Sequence, residues 1–358
     1  MESINNEDPK MSLYNAPQSH ELYIPIQMEE EEEKINTSNT QIKQEEKQNQ
    51  NATSADLNAS AITNYSSNSK NSKKSEESKI IEPPIKPNTD YLYNLEYFDE
   101  MYENFLLDEK NYKLKINPKY MEEVQNNINE EMRAILVDWL IEIHNRFPFR
   151  RKTLFQTIYI LDLYLSKKAI QRNNFQLLGI ACLLIASKVN EIYYPKLEKF
   201  VDSTDGAYTI QELLNMEIDV MQTLNFDIFS PTPEDFYDVI SKTFEFTRKQ
   251  HLLGSYLLDS SLIIYSLLKF QPSVIAVSCA YIVMKFFGIN GYKGLYSSTF
   301  TKISTKKERE NIIKNCAREI CFFIKKLSSS NTLKSTKEKY SLNEFRNVAE
   351  LMDAKKTK

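Results

Sequence analysis

The chain has 358 residues and a net charge of −4, from 45 lysines and arginines against 49 aspartates and glutamates, and it contains 6 glycines. Glycine-rich nucleotide loops and tight β-hairpins both need positive φ angles, so this scarcity of glycine argues against them. The slightly acidic balance is not typical of a nucleic-acid-binding protein, which is usually basic.

Cysteines and histidines form no local cluster in the sequence. The 4 cysteines include no CxxC pair and the 3 histidines lie far apart, so we expect free buried thiols, no metal and no cofactor. The N-terminus has no signal sequence, and no apolar stretch is long enough to span a bilayer. We therefore expect a soluble intracellular protein, in the nucleus, the cytoplasm or both, that has no membrane partner.

Residues 1–90 differ in composition from the rest of the chain. They are rich in Asn, Ser, Gln, Glu and Lys and include an acidic run at residues 29–33. Such a segment cannot bury enough apolar area to offset its chain entropy, so we predict a disordered polar leader. Apolar residues at helical spacing then predict an N-terminal helix and linker over residues 91–130.

Several helices are predicted in the middle of the chain. They span residues 132–147, 154–165, 175–190 and 210–224. The first and third are apolar on nearly all sides, which is typical of helices surrounded by other helices. The fourth opens with the capping box Thr209-Ile-Gln-Glu212.

The second half of the chain repeats this pattern. Helices are predicted at residues 233–244, 249–268, 273–287 and 308–327. Ser273 follows a proline and is a candidate N-cap, and Thr305-Lys-Lys-Glu308 is a further capping box. The apolar runs at 177–188 and 274–285 are alike, which indicates two copies of one helical domain.

No catalytic pattern is visible in this sequence. It has no nucleophile elbow, no metal-ligand spacing and no paired-carboxylate motif, so we interpret it as a binding module and not as an enzyme. The sharpest local signal is EMRAILVDWL at residues 131–140, which contains the single tryptophan, Trp139. Arg133 and Asp138 lie in this apolar helix, where a charge needs a partner or access to water.

This segment resembles the start of the cyclin box of mitotic A-type and B-type cyclins. The resemblance continues through YILDLYLS, LLGIACLLIASKVNEIYYP and AYTIQELLNMEIDVMQTLNFDIFSPTPEDF, and it covers residues 93–327. In the second half, YLLDSSLIIYSLLKFQPSVIAVSCAYIVMK resembles the C-terminal cyclin fold. His144, in LIEIHNRF, is closer to the B type.

The resemblance implies an all-α fold, a tandem pair of five-helix cyclin-fold domains preceded by the leader and the N-terminal helix. We expect the N-terminal cyclin box at residues 131–229, the C-terminal cyclin fold at 230–345 and a frayed tail at 346–358. The implied function is that of a non-catalytic subunit. It binds and activates a cyclin-dependent kinase through a PSTAIRE-like helix of the kinase, and it helps to recruit substrates in cell-cycle control at G2/M.

In similar cyclins a lysine and a glutamate form a polar clamp on the kinase, and Lys188 and Glu217 match them. The apolar kinase-facing positions are matched by Val189, Ile218, Met221, Phe226 and Ile228. From the residues alone, Lys188 has a second interpretation, as a cation that complements the dipole at the end of a helix. The apolar residues could likewise be ordinary core.

A second surface matches the patch with which similar cyclins bind RxL-type docking motifs of substrates or inhibitors. Its apolar floor is matched by Met132, Ile135, Leu136 and Trp139, and its polar rim by Glu142, Arg172 and Gln176. The four apolar residues are spaced to share one helix face, which also fits a plain core stripe. Arg133 and Asp162 match a buried ion pair typical of the family, so we assign them a structural role.

The leader departs from the pattern of mitotic cyclins. It contains no arginine and no Lys-Glu-Asn triplet, so we do not expect degradation through the usual RxxL destruction box. Two other functions stay open at this point, a cyclin-fold transcription factor that binds DNA and a helical scaffold without kinase binding. The lack of a basic face argues against DNA binding, whereas only co-purification with a kinase separates an active subunit from a scaffold.

Overall fold

The computed structural model describes residues 97–111, 115–303, 305–327, 330 and 332–354, and within these ranges it is helical with no strand. The predicted polar leader and the first residues of the predicted N-terminal helix lie outside the described residues. The α-helices of the described part are α1 Phe98–Asp108, α2 Tyr120–Glu123, α3 Glu130–Arg146, α4 Arg151–Leu165, α5 Phe175–Asn190, α6 Leu197–Asp202, α7 Ile210–Thr223, α8 Pro233–Thr243, α9 Arg248–Ile263, α10 Pro272–Phe286, α11 Lys306–Leu327, α12 Ser335–Tyr340 and α13 Val348–Ala354. Short 3-10 helices lie at Arg172–Asn174, Tyr265–Lys269, Tyr292–Tyr296 and Asn343–Phe345.

The first domain is built around helix α5. Every residue of α5 from Leu177 to Ser187 is buried, and the helix packs against α4 on one side and α7 on the other. Gly179 lets α5 approach α3 closely, because a Cβ at this position would lie 3.0 Å from Leu136 Cδ1. The nearly uniform apolar character of residues 175–190 in the sequence therefore reflects a central helix.

Helix α10 has the same place in the second domain. Its residues from Ser273 to Ala280 are buried, and it packs against α8, α9 and α11. The similar apolar runs of the two halves are thus the central helices of two helical domains. This confirms the predicted all-α fold with two domains in tandem.

The N-terminal helix α1 packs into the core of the second domain. Its buried residues Phe98, Tyr102 and Leu106 belong to the same hydrophobic cluster as α8 and α10. The Glu109 carboxylate, just after α1, accepts hydrogen bonds from the backbone N–H of Ser273 at 2.7 Å and from its hydroxyl at 2.9 Å. Ser273 is therefore not the N-cap of α10; that helix begins at Pro272, and Glu109 supplies an acceptor to its first turn.

The C-terminal segment returns to the first domain. Asp138 on α3 accepts hydrogen bonds from the backbone N–H of Ser335 at 3.1 Å and from its hydroxyl at 2.8 Å, at the start of α12. Beyond it, Val348 and Ala349 of α13 are buried against α9. The frayed tail expected from residue 346 is therefore wrong for helix α13, because Val348 and Ala349 bury their side chains in the second domain.

Candidate functional site

The Lys188–Glu217 pair joins the last turn of α5 to the middle of α7. Lys188 Nζ lies 2.6 Å from Glu217 Oε1 and 2.8 Å from Oε2. The lysine side chain is 32% exposed and the glutamate side chain 17% exposed. The two residues that the sequence analysis names as a clamp are therefore held together at the surface of the first domain.

Exposed apolar side chains follow the two members of this pair along the chain, directly in the case of Val189 and Ile218. Val189 is 38% exposed, Ile218 is 53% exposed and Phe226 is 66% exposed. Met221 is half-buried, and it follows Glu217 by one helical turn, so both lie on the same face of α7. We call this set, with Lys188 and Glu217, the Lys188 surface. A charged pair among exposed apolar residues is typical of a protein interface.

Phe226 is placed by an unusual helix end. After α7, Asn225 has φ 52° and Phe226 has φ 61°, both in the left-handed region. The backbone N–H of Phe226 donates to Met221 O at 2.9 Å and that of Asn225 to Gln222 O at 3.1 Å, which is a Schellman arrangement. A bulky residue in this conformation costs about 1–3 kcal/mol. The fold therefore tolerates local strain where it keeps an aromatic side chain in solvent.

The resemblance matches Ile228 to this surface as well, but the structure places it elsewhere. Ile228 is 2% exposed and belongs to the hydrophobic cluster of the first domain. Its carbonyl accepts a hydrogen bond from the Gln156 amide of α4, which fixes it against the core. Ile228 is thus a core residue and not part of the exposed surface.

Sequence reasoning missed four exposed residues close in sequence to this surface. They are Ile192 at 77%, Tyr193 at 91%, Tyr194 at 49% and Phe229 at 63% exposure. The loop after α5 is fixed by Glu191, whose Oε1 accepts from the backbone N–H of Arg150 at 2.8 Å and from the Thr153 hydroxyl. The run of bulky residues directly after a helix end, where a loop is expected to be polar, was the signal available in the sequence.

The predicted docking stripe lies along α3. Ile135 is 58% exposed and Leu136 is 6% exposed, while Met132 and Trp139 are half-buried. Leu136 lies against Gly179 of α5 and is buried, so it offers little surface to a ligand. The predicted stripe is therefore partly buried and partly exposed.

The predicted rim residues are placed around this stripe. Glu142 is exposed and forms an ion pair with Arg146 at 2.5 Å. Arg172 is exposed in the 3-10 turn before α5, and Gln176 is half-buried in the first turn of α5. Gln176 precedes Gly179 by one helical turn and therefore lies on the side of α5 that approaches α3.

Arg133 and Asp162 form a buried bidentate ion pair. Arg133 is 1% exposed and Asp162 is 2% exposed; Nε lies 2.7 Å from Oδ1 and Nη2 lies 2.6 Å from Oδ2. Burial opposes the charge of the guanidinium, but the Asp162 carboxylate outweighs it and raises the pKa of Arg133. Arg133 Nη1 also donates to the carbonyl of Leu262 at 3.0 Å, so the pair joins the two domains.

Other kinds of site find little support in the described part of the chain. Its histidines, cysteines and acids form no group of three that could hold a metal ion. Burial raises the pKa of Cys182, Cys279 and Cys316, so these thiols are poor nucleophiles. None of the described helices combines the length and the apolar character needed to cross a bilayer.

Comparison with known families matches both domains. Residues 100–229 match the family described as "Cyclin, N-terminal domain" and residues 231–354 match "Cyclin, C-terminal domain". Among similar proteins, G2/mitotic-specific cyclin-B2 of Rana japonica is 36% identical over 63% of this chain and 56% of its own length. Cyclin-A2-3 of Arabidopsis thaliana is 39% identical over 46% of this chain and 38% of its own length. The chain thus spans about half the length of these relatives.

Among solved structures, the fold is similar to the X-ray structure of a viral cyclin from herpesvirus saimiri. The TM-score is 0.52 with 19% identity, and the match covers 63% of this chain and 97% of the viral one. At this level of identity, the likeness concerns the fold alone.

Proposed function

Because the chain belongs to the cyclin family, we propose that it is a regulatory subunit that binds and activates a cyclin-dependent protein kinase. The observation that carries this proposal is the Lys188–Glu217 pair, held at 2.6 Å, with the exposed apolar residues Val189 and Ile218 directly after its two members in the sequence. The subunit itself supplies no catalytic group. The chemistry belongs to the kinase, which needs a lysine of its strand β3 to pair with a glutamate of its αC helix.

The Lys188 surface is suited to hold a helix of the kinase. Its apolar members offer area that a partner can bury, and the pair between them offers both a cation and carboxylate oxygens to backbone groups of a helix. Because the two side chains already hold each other, little side-chain freedom is lost on binding. The Lys188 surface binds the kinase more tightly when αC lies inward, in its active position, than when αC lies outward. Binding therefore shifts the kinase toward its active state.

The test is the double variant Lys188→Ala with Glu217→Ala. Truncating charged groups that become buried in an interface costs about 2–5 kcal/mol, which is roughly 30-fold or more in affinity. The matched control is Lys168→Ala with Asp219→Ala, which removes another lysine–carboxylate pair of α7, at 2.6 Å, from a different face. Affinity for a kinase with a PSTAIRE-like helix and the histone-kinase activity of the complex are measured for both. Unchanged affinity in the Lys188 variant would refute the assignment.

We further propose that the α3 stripe recruits substrates through RxL-type motifs, with Glu142 receiving the basic residue of the motif. Ile135→Asp places a charge on the most exposed position of the stripe without touching the core, and Trp139→Ala removes its largest apolar side chain. Both should slow phosphorylation of a protein substrate that carries the motif. Phosphorylation of a short peptide without the motif should be unchanged, and an equal loss on both substrates would contradict docking.

The timing of this activity is also proposed, at G2/M, because the similar frog protein is named a G2/mitotic-specific cyclin. Kinase activity that co-purifies with the chain should then peak at G2/M in synchronised cells. The alternatives are a DNA-binding cyclin-fold factor and a scaffold without a kinase. The exposed apolar residues of the Lys188 surface favour a protein partner over DNA. Failure of the wild-type chain to retain any kinase in a pull-down would favour the scaffold.

A further inference from the structure

We propose that a cavity between the two domains binds a small amphipathic amine, with the ammonium group of the ligand at Glu109 and its apolar body against the apolar walls. The cavity has a volume of about 300 Å³. Its walls come from α3 and α4 of the first domain, from the connection at residues 230–233 and from residues between 261 and 275 of the second domain. We call it the Glu109 cavity. None of its described lining residues belongs to the Lys188 surface or to the α3 stripe.

The size and the place of this cavity are those of a ligand site. Protein interiors are close-packed and contain few voids larger than a water molecule. Sites for small molecules have volumes from about 300 Å³ upward and occur preferentially where domains meet. The Glu109 cavity therefore suits a ligand at the small end of this range.

Buried apolar side chains from both domains line this cavity. Phe155 and Ile158 of α4 line it from the first domain, and Ile264, Leu267 and Ile275 line it from the second. All five are buried, so they belong to packed walls and not to mobile surface loops. An apolar ligand body that covers such side chains gains the free energy of removing apolar area from water.

The Glu109 carboxylate defines the head group of the ligand. Glu109 is 8% exposed and lines the cavity, and it forms no ion pair with another described residue. Burial raises the pKa of this carboxyl, although the hydrogen bonds from Ser273 and the charge of Lys115 lower it. The Ser273 bonds explain Glu109 as an acceptor for the start of α10, but each carboxylate oxygen can accept a further bond. Since a buried carboxylate is costly without a cation, an ammonium group is the matching head group.

The other charged residues that line the described part of the cavity have partners or are screened by water. Arg133 and Asp162 neutralise each other in their buried ion pair. Lys269 pairs with an acid of α11 at 2.5 Å. Lys115 is exposed, so solvent screens its charge more strongly than it screens the charge of Glu109. A cationic ligand therefore meets a buried carboxylate without meeting a buried cation that lacks its own carboxylate.

The test compares three probes with the full chain by ligand-observed nuclear magnetic resonance. Phenylbutylamine, phenylbutanol and phenylbutyrate share one apolar body and differ in the head group, which is a cation, a neutral hydroxyl and an anion. We expect a dissociation constant on the order of 0.1–1 mM for the amine, as is usual for a ligand of this size. The alcohol should bind about ten-fold more weakly and the butyrate more weakly still, because hydrogen bonds between charged groups are the stronger ones.

Variants locate the binding. Glu109→Gln keeps the shape of the side chain and removes its charge, so the advantage of the amine over the alcohol should fall to about two-fold or less. The matched control, Asp108→Asn, removes the charge of an exposed neighbour and should leave that advantage unchanged.

A second pair of variants tests the space itself. Leu268→Phe enlarges a half-buried side chain of the cavity wall and should weaken both the amine and the alcohol by about five-fold. Leu197→Phe makes the same change at a half-buried residue of α6 outside the cavity, and it should alter binding by less than about two-fold. Circular dichroism checks that each variant folds.

Equal affinity of the wild type for the amine and the alcohol would overturn the proposal, as would an unchanged advantage of the amine in Glu109→Gln. So would tighter binding of the acetylated peptide phenylalanine-lysine-phenylalanine than of the amine, because the cavity would then accept a side chain of a protein partner. All these measurements use the chain without a kinase. A failure here is thereby distinguished from a failure of the proposed kinase partner, which depends on Lys188 and Glu217.

Discussion

Replacing Arg133 by leucine should destabilise the protein more than any change of a surface charge. The guanidinium is 1% exposed and makes two bonds to Asp162, at 2.6 and 2.7 Å. It also donates to the carbonyls of Leu262 and Ile263 at the end of α9, at 3.0 and 3.4 Å. Leucine would fill part of the volume but leave a buried carboxylate and two helix-end carbonyls without this donor.

The size of the effect follows from this environment. Removing one partner of a buried ion pair costs about 3–5 kcal/mol, because the remaining charge stays desolvated. For a folded body of this size, each kcal/mol corresponds to about 2–4 °C in melting temperature, so we expect a fall of roughly 6–20 °C. Arg146→Leu is the matched control, since its ion pair with Glu142 is 62% and 50% exposed. It should cost less than about 1 kcal/mol.

Chemical denaturation followed by far-ultraviolet circular dichroism measures these free energies of unfolding. The double variant Arg133→Leu with Asp162→Leu should be less destabilised than the sum of the two single variants, because it leaves no unpaired charge. A free energy of unfolding of Arg133→Leu within about 1 kcal/mol of the wild type would contradict this prediction, as would simple addition of the costs of the two single variants.

Two further predictions concern the second domain. At Gly254 a Cβ would lie 1.7 Å from the Tyr237 hydroxyl oxygen, whereas at Gly294 the nearest atom is 3.7 Å away. Gly254→Ala should therefore lower the free energy of unfolding by about 1–3 kcal/mol or more, and Gly294→Ala by much less, in thermal or chemical denaturation.

Burial, and then the charge of Arg151, lower the pKa of His251 to about 4. Since the unfolded value is near 6.5, stability should fall as the pH drops from about 6.5 to about 4, and this fall should be shallower in His251→Gln. Stability profiles of the wild type and of His251→Gln that run parallel over this pH range would contradict this prediction.

Local helix signals in the sequence predict much of the fold. The predicted helix 175–190 has the bounds that the structure shows. Its burial was also predictable, because a helix that is apolar on all sides must be surrounded by other helices. The capping box of Thr209 and Glu212 is present, with both reciprocal bonds. Thr305 and Glu308 form the second, with bonds of 3.2 Å in each direction. These features depend on residues a few positions apart, which a single sequence displays.

Contacts between distant segments escaped sequence reasoning. Glu109 bonds to Ser273 across 164 positions and Asp138 to Ser335 across 197 positions, and no local pattern links such pairs. At the candidate site, the resemblance located Ile228 by position but could not show that it turns inward. Conversely, Tyr193 is the most exposed large apolar residue of the described part of the chain, and it matches none of the positions that the resemblance implies.

These long-range contacts change the meaning of the domain boundary near residue 230. Helix α1 lies on the N-terminal side of this boundary but packs into the second domain, and α12 lies on its C-terminal side but is capped by Asp138 of the first. Arg133 of the first domain also joins the two domains, because it donates a hydrogen bond to the carbonyl of Leu262 at the end of α9. A fragment cut at this boundary would leave Asp138, Arg133 and the apolar face of α1 without their partners, and each loss of a buried partner costs about 1–3 kcal/mol. We therefore expect that the two halves do not fold independently when the chain is cut at this boundary. For this reason the Lys188 surface has to be tested in the whole chain.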